Sequence, residues 1–247
     1  MTNLITQEQK NKIDDLCTEF QIYNYTINSD GSIDVDGSVS IFNRGLTKLP
    51  IVFNNVTRSF TCSHNDLTTL EGAPRKVGED FNCNHNKLTT MEHSPLWVGG
   101  GIWCNENRLT SLEHSPKHVG GVFHCGENQI TSLVGLPNRI GRTLLCYDNR
   151  ITTLVGAPEY IGGDLGVYIN KLHNTYSGDI DIEVGGKITI NTSIYDIVKL
   201  PKMLRENLQH IKLILKYQRH FLIWNDDMSL NEENFQILIE EIKDGLE

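Results

Sequence analysis

Two adjacent stretches decide the fold: Phe81–Gly101, FNCNHNKLTTMEHSPLWVGGG, and Ile102–Val122, IWCNENRLTSLEHSPKHVGGV. Laid one on the other they agree at cysteine, asparagine, leucine, proline, valine and glycine, with a step of 21 residues. The same step runs outward in both directions. Cysteines recur at Cys62, Cys83, Cys104, Cys125 and Cys146. Two residues before each stands Phe60, Phe81, Ile102, Phe123 or Leu144, and three after it Asn65, Asn86, Asn107, Asn128 or Asn149. Leu67, Leu88, Leu109, Ile130 and Ile151 follow, then Leu70, Met91, Leu112, Leu133 and Leu154. Pro74, Pro95, Pro116, Pro137 and Pro158 form a further column, and Val77, Val98, Val119, Ile140 and Ile161 close the unit. Such columns mean a stacked array in which no single repeat buries its apolar face alone.

Weaker copies flank these five. Val39, Ile41, Leu46, Leu49 and Val56 keep the register before them; Leu165, Val167, Asn170 and Leu172 keep it after. Lys187–Ile190 is strand-like but out of step by two residues. About seven coils are expected. In F-x-C the period is two, so Phe81 and Cys83 point inward and Asn82 outward. Stacking then gives a parallel sheet with strands ~4.8 Å apart. The proline column and the short unit leave little room for a convex helix. The glycine pairs allow close backbone packing or positive φ.

The unit F-x-C-x-x-N-x-L-T-[ST]-L resembles the leucine-rich repeat core, with Phe and Cys in two of the usual Leu positions. Leu109–Asn128, LTSLEHSPKHVGGVFHCGEN, resembles repeats encoded by large tailed bacteriophages, and Asp30–Pro50 looks like the lead-in of those proteins. The resemblance covers roughly Gly37 to Leu172. It implies a leucine-rich-repeat-like solenoid and a phage accessory protein; a fold alone does not fix a function.

Both ends read as helical caps, dividing the chain into residues 1–36, a solenoid over 37–192 and a helical piece over 193–247. Thr6 and Gln9 form a capping box opening an N-terminal helix with Ile13, Leu16 and Phe20 on one face. Tyr23 to Val35 alternates around Asp30-Gly31, a hairpin signal. Leu200 to Phe221 reads as one helix with Leu204, Leu208, Ile211 and Leu215 inward. Ser229 with Glu232 reads as a second capping box, before Phe235, Leu238, Ile239 and Ile242.

The chain has 247 residues and a net charge of -9, with 21% charged residues, so it is neither disordered in composition nor a general nucleic-acid binder. No apolar run reaches the ~20 residues of a membrane span, and MTNLITQEQK lacks a basic and an apolar signal region, which points to the cytoplasm. The cysteines, single and alternating with Phe, read as small core hydrophobes rather than zinc ligands or a disulfide framework. No catalytic triad, Walker loop, dinucleotide fingerprint or calcium-loop spacing occurs, so neither cofactor nor metal is expected. A leucine-rich array feeding a C-terminal transfer domain, as in some bacterial effector ubiquitin ligases, lacks a nucleophile, since no Cys follows Cys146.

The candidate surface is therefore the outward side of the sheet. Trp103, His124, Leu145, Tyr147 and Tyr168 cluster there, beside a column of Glu106, Glu127 and Asp148. Exposed aromatics on a rigid sheet have the composition of interface hot spots. The stacked carboxylates need a counter-charge. It comes either from the next column, Lys87, Arg108, Arg150 and Lys171, or from Arg or Lys of a partner. The reading is a protein-binding module without enzymatic activity, a phage protein that inhibits a host defence enzyme or toxin with a basic contact surface. The alternative is a self-associating virion or assembly component. The basic stretch Lys199–Arg219 either binds or only caps.

Overall fold

The computed structural model describes residues 5–151, 154–167, 182–190, 201–227 and 229–247. The repeat folds as a β-solenoid, each coil supplying two short parallel strands. One sheet has eight strands: Val39–Ser40, Phe60–Thr61, Phe81–Asn82, Ile102–Trp103, Phe123–His124, Leu144–Leu145, Leu165–Val167 and Ile188–Ile190. Its rungs step by 21 residues from Val39 to Leu165, six full turns. The last rung pairs Leu165 with Ile188, the two-residue slip seen in the sequence.

A second, nine-stranded sheet runs along the neighbouring side. It starts with the antiparallel hairpin Tyr25–Ile27/Ile33–Val35 and continues in parallel through Phe53–Val56, Lys76–Val77, Trp97–Val98, His118–Val119, Arg139–Ile140, Tyr160–Ile161 and Glu183–Val184. The valine column is thus the inward position of a sheet, not a loop residue. Between the sheets lies the core: the Phe, Cys and Leu columns are buried throughout, with Phe60 and Phe81 stacked at 5.8 Å.

Two columns explain why the coils stack so tightly. The corner between the sheets is glycine in every coil from Gly78 to Gly185, and the reason is close approach rather than φ. A Cβ on Gly78, Gly99, Gly120, Gly141, Gly162 or Gly185 would lie 1.9–2.4 Å from the carbonyl oxygen of the preceding coil's corner residue. The asparagine column staples coil to coil. Asn86 Nδ2 donates to Cys83 O (3.1 Å) and to Cys62 O of the preceding coil (3.0 Å), and its Oδ1 accepts Leu67 N–H (2.9 Å). Asn107, Asn128 and Asn149 repeat the pattern. The amide satisfies backbone groups that no sheet partner reaches.

Beside the corner a third ladder runs from side chain to backbone. Ser38 Oγ accepts Ser59 N–H, Ser59 Oγ accepts Asp80 N–H, and Asp80 Oδ1 accepts Gly101 N–H. It lapses at Gly101 and Val122, which have no acceptor, and resumes where Thr143 Oγ1 accepts Asp164 N–H and Asp164 Oδ1 accepts Lys187 N–H.

On the far side no helix forms among the described residues; each coil turns at Gly72, His93, His114, Gly135 or Gly156, all with positive φ, ahead of a buried proline. His93 and His114 recur because they occupy this turn column.

The N-terminal helix Gln7–Glu19 carries both bonds of the Thr6–Gln9 capping box, and Cys17 and Phe20 are buried beneath it. The C-terminal region departs from one continuous helix. It forms Lys202–Arg205, a 3-10 turn Leu208–His210 and Ile211–Tyr217, because Asn207 turns its amide back onto Met203 O and interrupts the ladder. Ile211–Tyr217 packs on the edge strand Glu183–Val184, with Ile182 N–H bonded to Leu215 O, and so covers the last coil of the second sheet. The final helix, Glu232–Lys243, is capped by Asn231, not Ser229. Ser229 serves a turn instead. Asn225, Asp227 and Ser229 reproduce bond for bond the hairpin turn of Asn28, Asp30 and Ser32. Both Asp carboxyls are held below the usual range, first by the Ser hydroxyl and then by its N–H.

Candidate protein-binding face

The outward positions of the eight-stranded sheet put Trp103, His124 and Leu145 on consecutive rungs. Tyr147 leans back one coil and meets His124 with ring centroids 5.2 Å apart. Gly126 makes this contact: a Cβ there would lie 2.9 Å from Tyr147 Cε2 and 3.1 Å from His124 Nε2. The indole of Trp103 lies over Gly101, whose absent Cβ would fall 2.7 Å from its ring. Trp97, from the other sheet, covers Gly99 in the same manner. Beside Trp103 the corner opens into a groove of about 480 Å³ bordered by Glu79, Asp80, Val122 and Arg142. Tyr168 and Lys171 lie outside the described residues.

The acidic column stands elsewhere than expected. Glu106, Glu127 and Asp148 are not strand residues; with Asn43, His64 and His85 they occupy a left-handed turn after the strand, at φ between 49° and 54°. The turn delivers the chain to the asparagine that staples the coil. A side chain in this region crowds the following carbonyl at about 1–2 kcal/mol, and Asn, Asp and His are its commonest non-glycine occupants. Glutamate is not among them.

Among the described residues, no counter-charge reaches Glu127 or Asp148 from the neighbouring column. Lys87 bonds Asp66 at 2.8 Å. Glu106 is held by His85 Nδ1 at 2.7 Å and by Asn105 Nδ2 at 3.3 Å. Glu127 and Asp148 are exposed and enter no ion pair among the described residues. Their charge reaches Tyr147: partial burial, then Glu127, Asp148 and Glu106, raises its hydroxyl above the ordinary tyrosine range. Burial pushes His124 down and favours the neutral ring, against the opposing pull of Glu106. Asn84 Oδ1, Asn105 Oδ1 and His124 Nε2 are buried with no hydrogen-bond partner among the described residues.

The cysteines take no part. All are buried, and desolvation raises the thiols, Cys62 and Cys125 to about 12. No set of three His, Cys, Asp or Glu among the described residues is placed to hold a metal, and no described helix is long and apolar enough to cross a membrane. The recurring Asn three residues after each Cys marks in the sequence where the chain turns; the left-handed backbone of that turn and the orphaned atoms beside it were missed. No family model, curated protein or solved structure matches the chain.

Proposed function

We propose that this chain is a protein-binding module of the leucine-rich-repeat type. In this reading it is encoded by a large tailed bacteriophage and inhibits a bacterial host protein, such as a defence enzyme or toxin, in the host cytoplasm. The observation that carries the binding face is the pair Glu127 and Asp148: exposed carboxylates with no ion pair among the described residues, fixed on a rigid ladder beside Tyr147, His124 and Trp103. The phage and inhibitor elements rest on the resemblance of the repeat units.

Arg or Lys of the partner supplies the missing charge and finds Tyr147 and Trp103 beside it. Aromatic anchors ringed by charge are where binding energy concentrates.

The test begins with a tagged pull-down from a bacterial host lysate. The captured protein is then purified, and its affinity is measured for the wild type and for Trp103→Ala/Tyr147→Ala. A loss of at least tenfold, with inhibition of the partner's activity by the wild type alone, is expected. Unchanged affinity would show that the face is elsewhere.

A further inference from the structure

The outward side of the second sheet carries the opposite charge. From the rung of Lys76 to that of Arg139, the exposed residue before each strand and the strand's outward residue are Arg75 and Lys76, Leu96 and Trp97, Lys117 and His118, Asn138 and Arg139. That is four formal cations and no carboxylate, in a chain of net charge -9. None of the four enters an ion pair among the described residues. Asp34 lies at one end of the face, bonded to Asn54, and Glu159 and Glu183 at the other.

The rings here are arranged differently from those of a nucleic-acid platform. The Lys76 ammonium sits over Trp97 at 5.0 Å, Trp97 stacks on His118 at 5.1 Å with planes 6° apart, and the Arg139 guanidinium covers Tyr160 at 4.0 Å. Neighbours on the ladder occupy the ring faces, so bases find little to stack on. The face is also partly apolar. Leu96 is 53% and Val52 55% exposed, and they border a groove of about 410 Å³ together with Phe53, Ala73 and Arg75. The Asp30 carboxylate at its rim is engaged by Ser32.

We propose that this face is a second interaction surface, which takes an acidic polypeptide segment of a partner protein. The segment's carboxylates meet Arg75, Lys76, Lys117 and Arg139, and one apolar side chain enters the groove between Val52 and Leu96. The two faces lie on either side of the glycine corner, so one rigid body presents an acidic edge and a basic edge. That is the layout of an adaptor joining two proteins of opposite charge.

The probe is a fluorescein-labelled peptide of alternating Glu and Leu, titrated with the full chain at low salt and followed by anisotropy. Saturable binding is expected, weakened about tenfold or more by Lys76→Glu/Arg139→Glu and by Leu96→Asp, and weakened by added salt. Glu127→Gln/Asp148→Asn, on the other face, leaves it intact. All five positions are exposed, and an unchanged circular dichroism spectrum confirms folding. Absence of binding, or charge reversal without effect, overturns the proposal. So does equally tight binding of oligo-dT. So does self-association abolished by the same charge reversal, which would make a second copy of the chain the occupant.

Discussion

Gly120→Ala tests the corner column directly, because two lines of reasoning give it opposite signs. Gly120 lies outside the left-handed region of φ. Considered as a backbone conformation only, alanine should stabilise the chain by about 0.4–1 kcal/mol through the unfolded state. The neighbouring coil says otherwise. The added Cβ would stand 2.2 Å from Gly99 O and 3.1 Å from Gly99 C, where ordinary contacts begin at 3.4 Å. Roughly 1.2 Å must be found between coils that are spaced only ~4.8 Å apart and continuous on both sides. Opening that gap stretches Gly120 N–H to Val98 O, now 3.1 Å, and Gly121 N–H to Gly100 O, now 2.7 Å. Two weakened bonds at about 1 kcal/mol each, with overpacking strain of about 1–3 kcal/mol, give a loss of about 3–5 kcal/mol.

Urea denaturation of Gly120→Ala against wild type measures it. Gly45→Ala is the control, since Gly45 has φ of 65° and nothing within 4 Å of a Cβ. That variant bears only the left-handed cost of about 1–2 kcal/mol. A large loss for Gly120→Ala and a small one for Gly45→Ala is expected. A Gly120→Ala protein as stable as wild type, or more so, would refute the account of the column.

Other consequences are as direct. Asn86→Ala removes two bonds to the preceding coil and those within its own, and should cost about 2–4 kcal/mol in the same assay, while Asn82→Ala, on the outward face, loses one bond, from Asn84 N–H, and costs about 1 kcal/mol. Val122→Thr supplies the missing acceptor between Gly101 and Thr143 and should stabilise the chain by about 0.5–1.5 kcal/mol, with slower hydrogen exchange at Thr143 N–H. Asp30 and Asp227 have folded pKa values below their unfolded ones, so the stability they contribute is present above the unfolded pKa and disappears as pH falls through the folded pKa. Asp30→Asn/Asp227→Asn should therefore narrow its stability gap to wild type in acid, read as denaturation midpoint against pH.

The solenoid was legible because each column is a repeated packing decision: Phe81 and Cys83 alternate inward, and the same alternation recurs in each coil. The second sheet was not. It spends two residues per coil, Trp97 and Val98 for example, and alternation has no meaning over two residues. Its glycines were visible but ambiguous, since only the distance to Gly99 O separates close approach from positive φ at Gly120. At the C-terminus, hydrophobic spacing placed Leu204 and Leu215 inward, as they are, but carried no sign that Asn207 would break the helix between them. Of the candidate face, the sequence supplied the column neighbours. It did not reveal that Glu106 turns to His85 whereas Glu127 and Asp148 enter no ion pair among the described residues, because that depends on the direction a left-handed backbone gives each side chain.

That backbone gives the sharpest separation of folding from function. If the turn column answered only to stability, asparagine or glycine would suit it best, and Asn43 shows that asparagine is accommodated at φ of 53°. Glu127 sits at 54° with an exposed carboxylate that enters no ion pair among the described residues. Glu127→Asn should therefore raise stability by about 1 kcal/mol, relieving backbone strain and one of the like charges around Tyr147. It should also weaken a partner that brings Arg or Lys to this edge. The two readings are measured separately, by urea denaturation and by binding to the captured partner. A variant no more stable than wild type would mean that the turn stores no strain at Glu127. A more stable variant that binds as well as wild type would mean that the carboxylate is not where the partner makes contact.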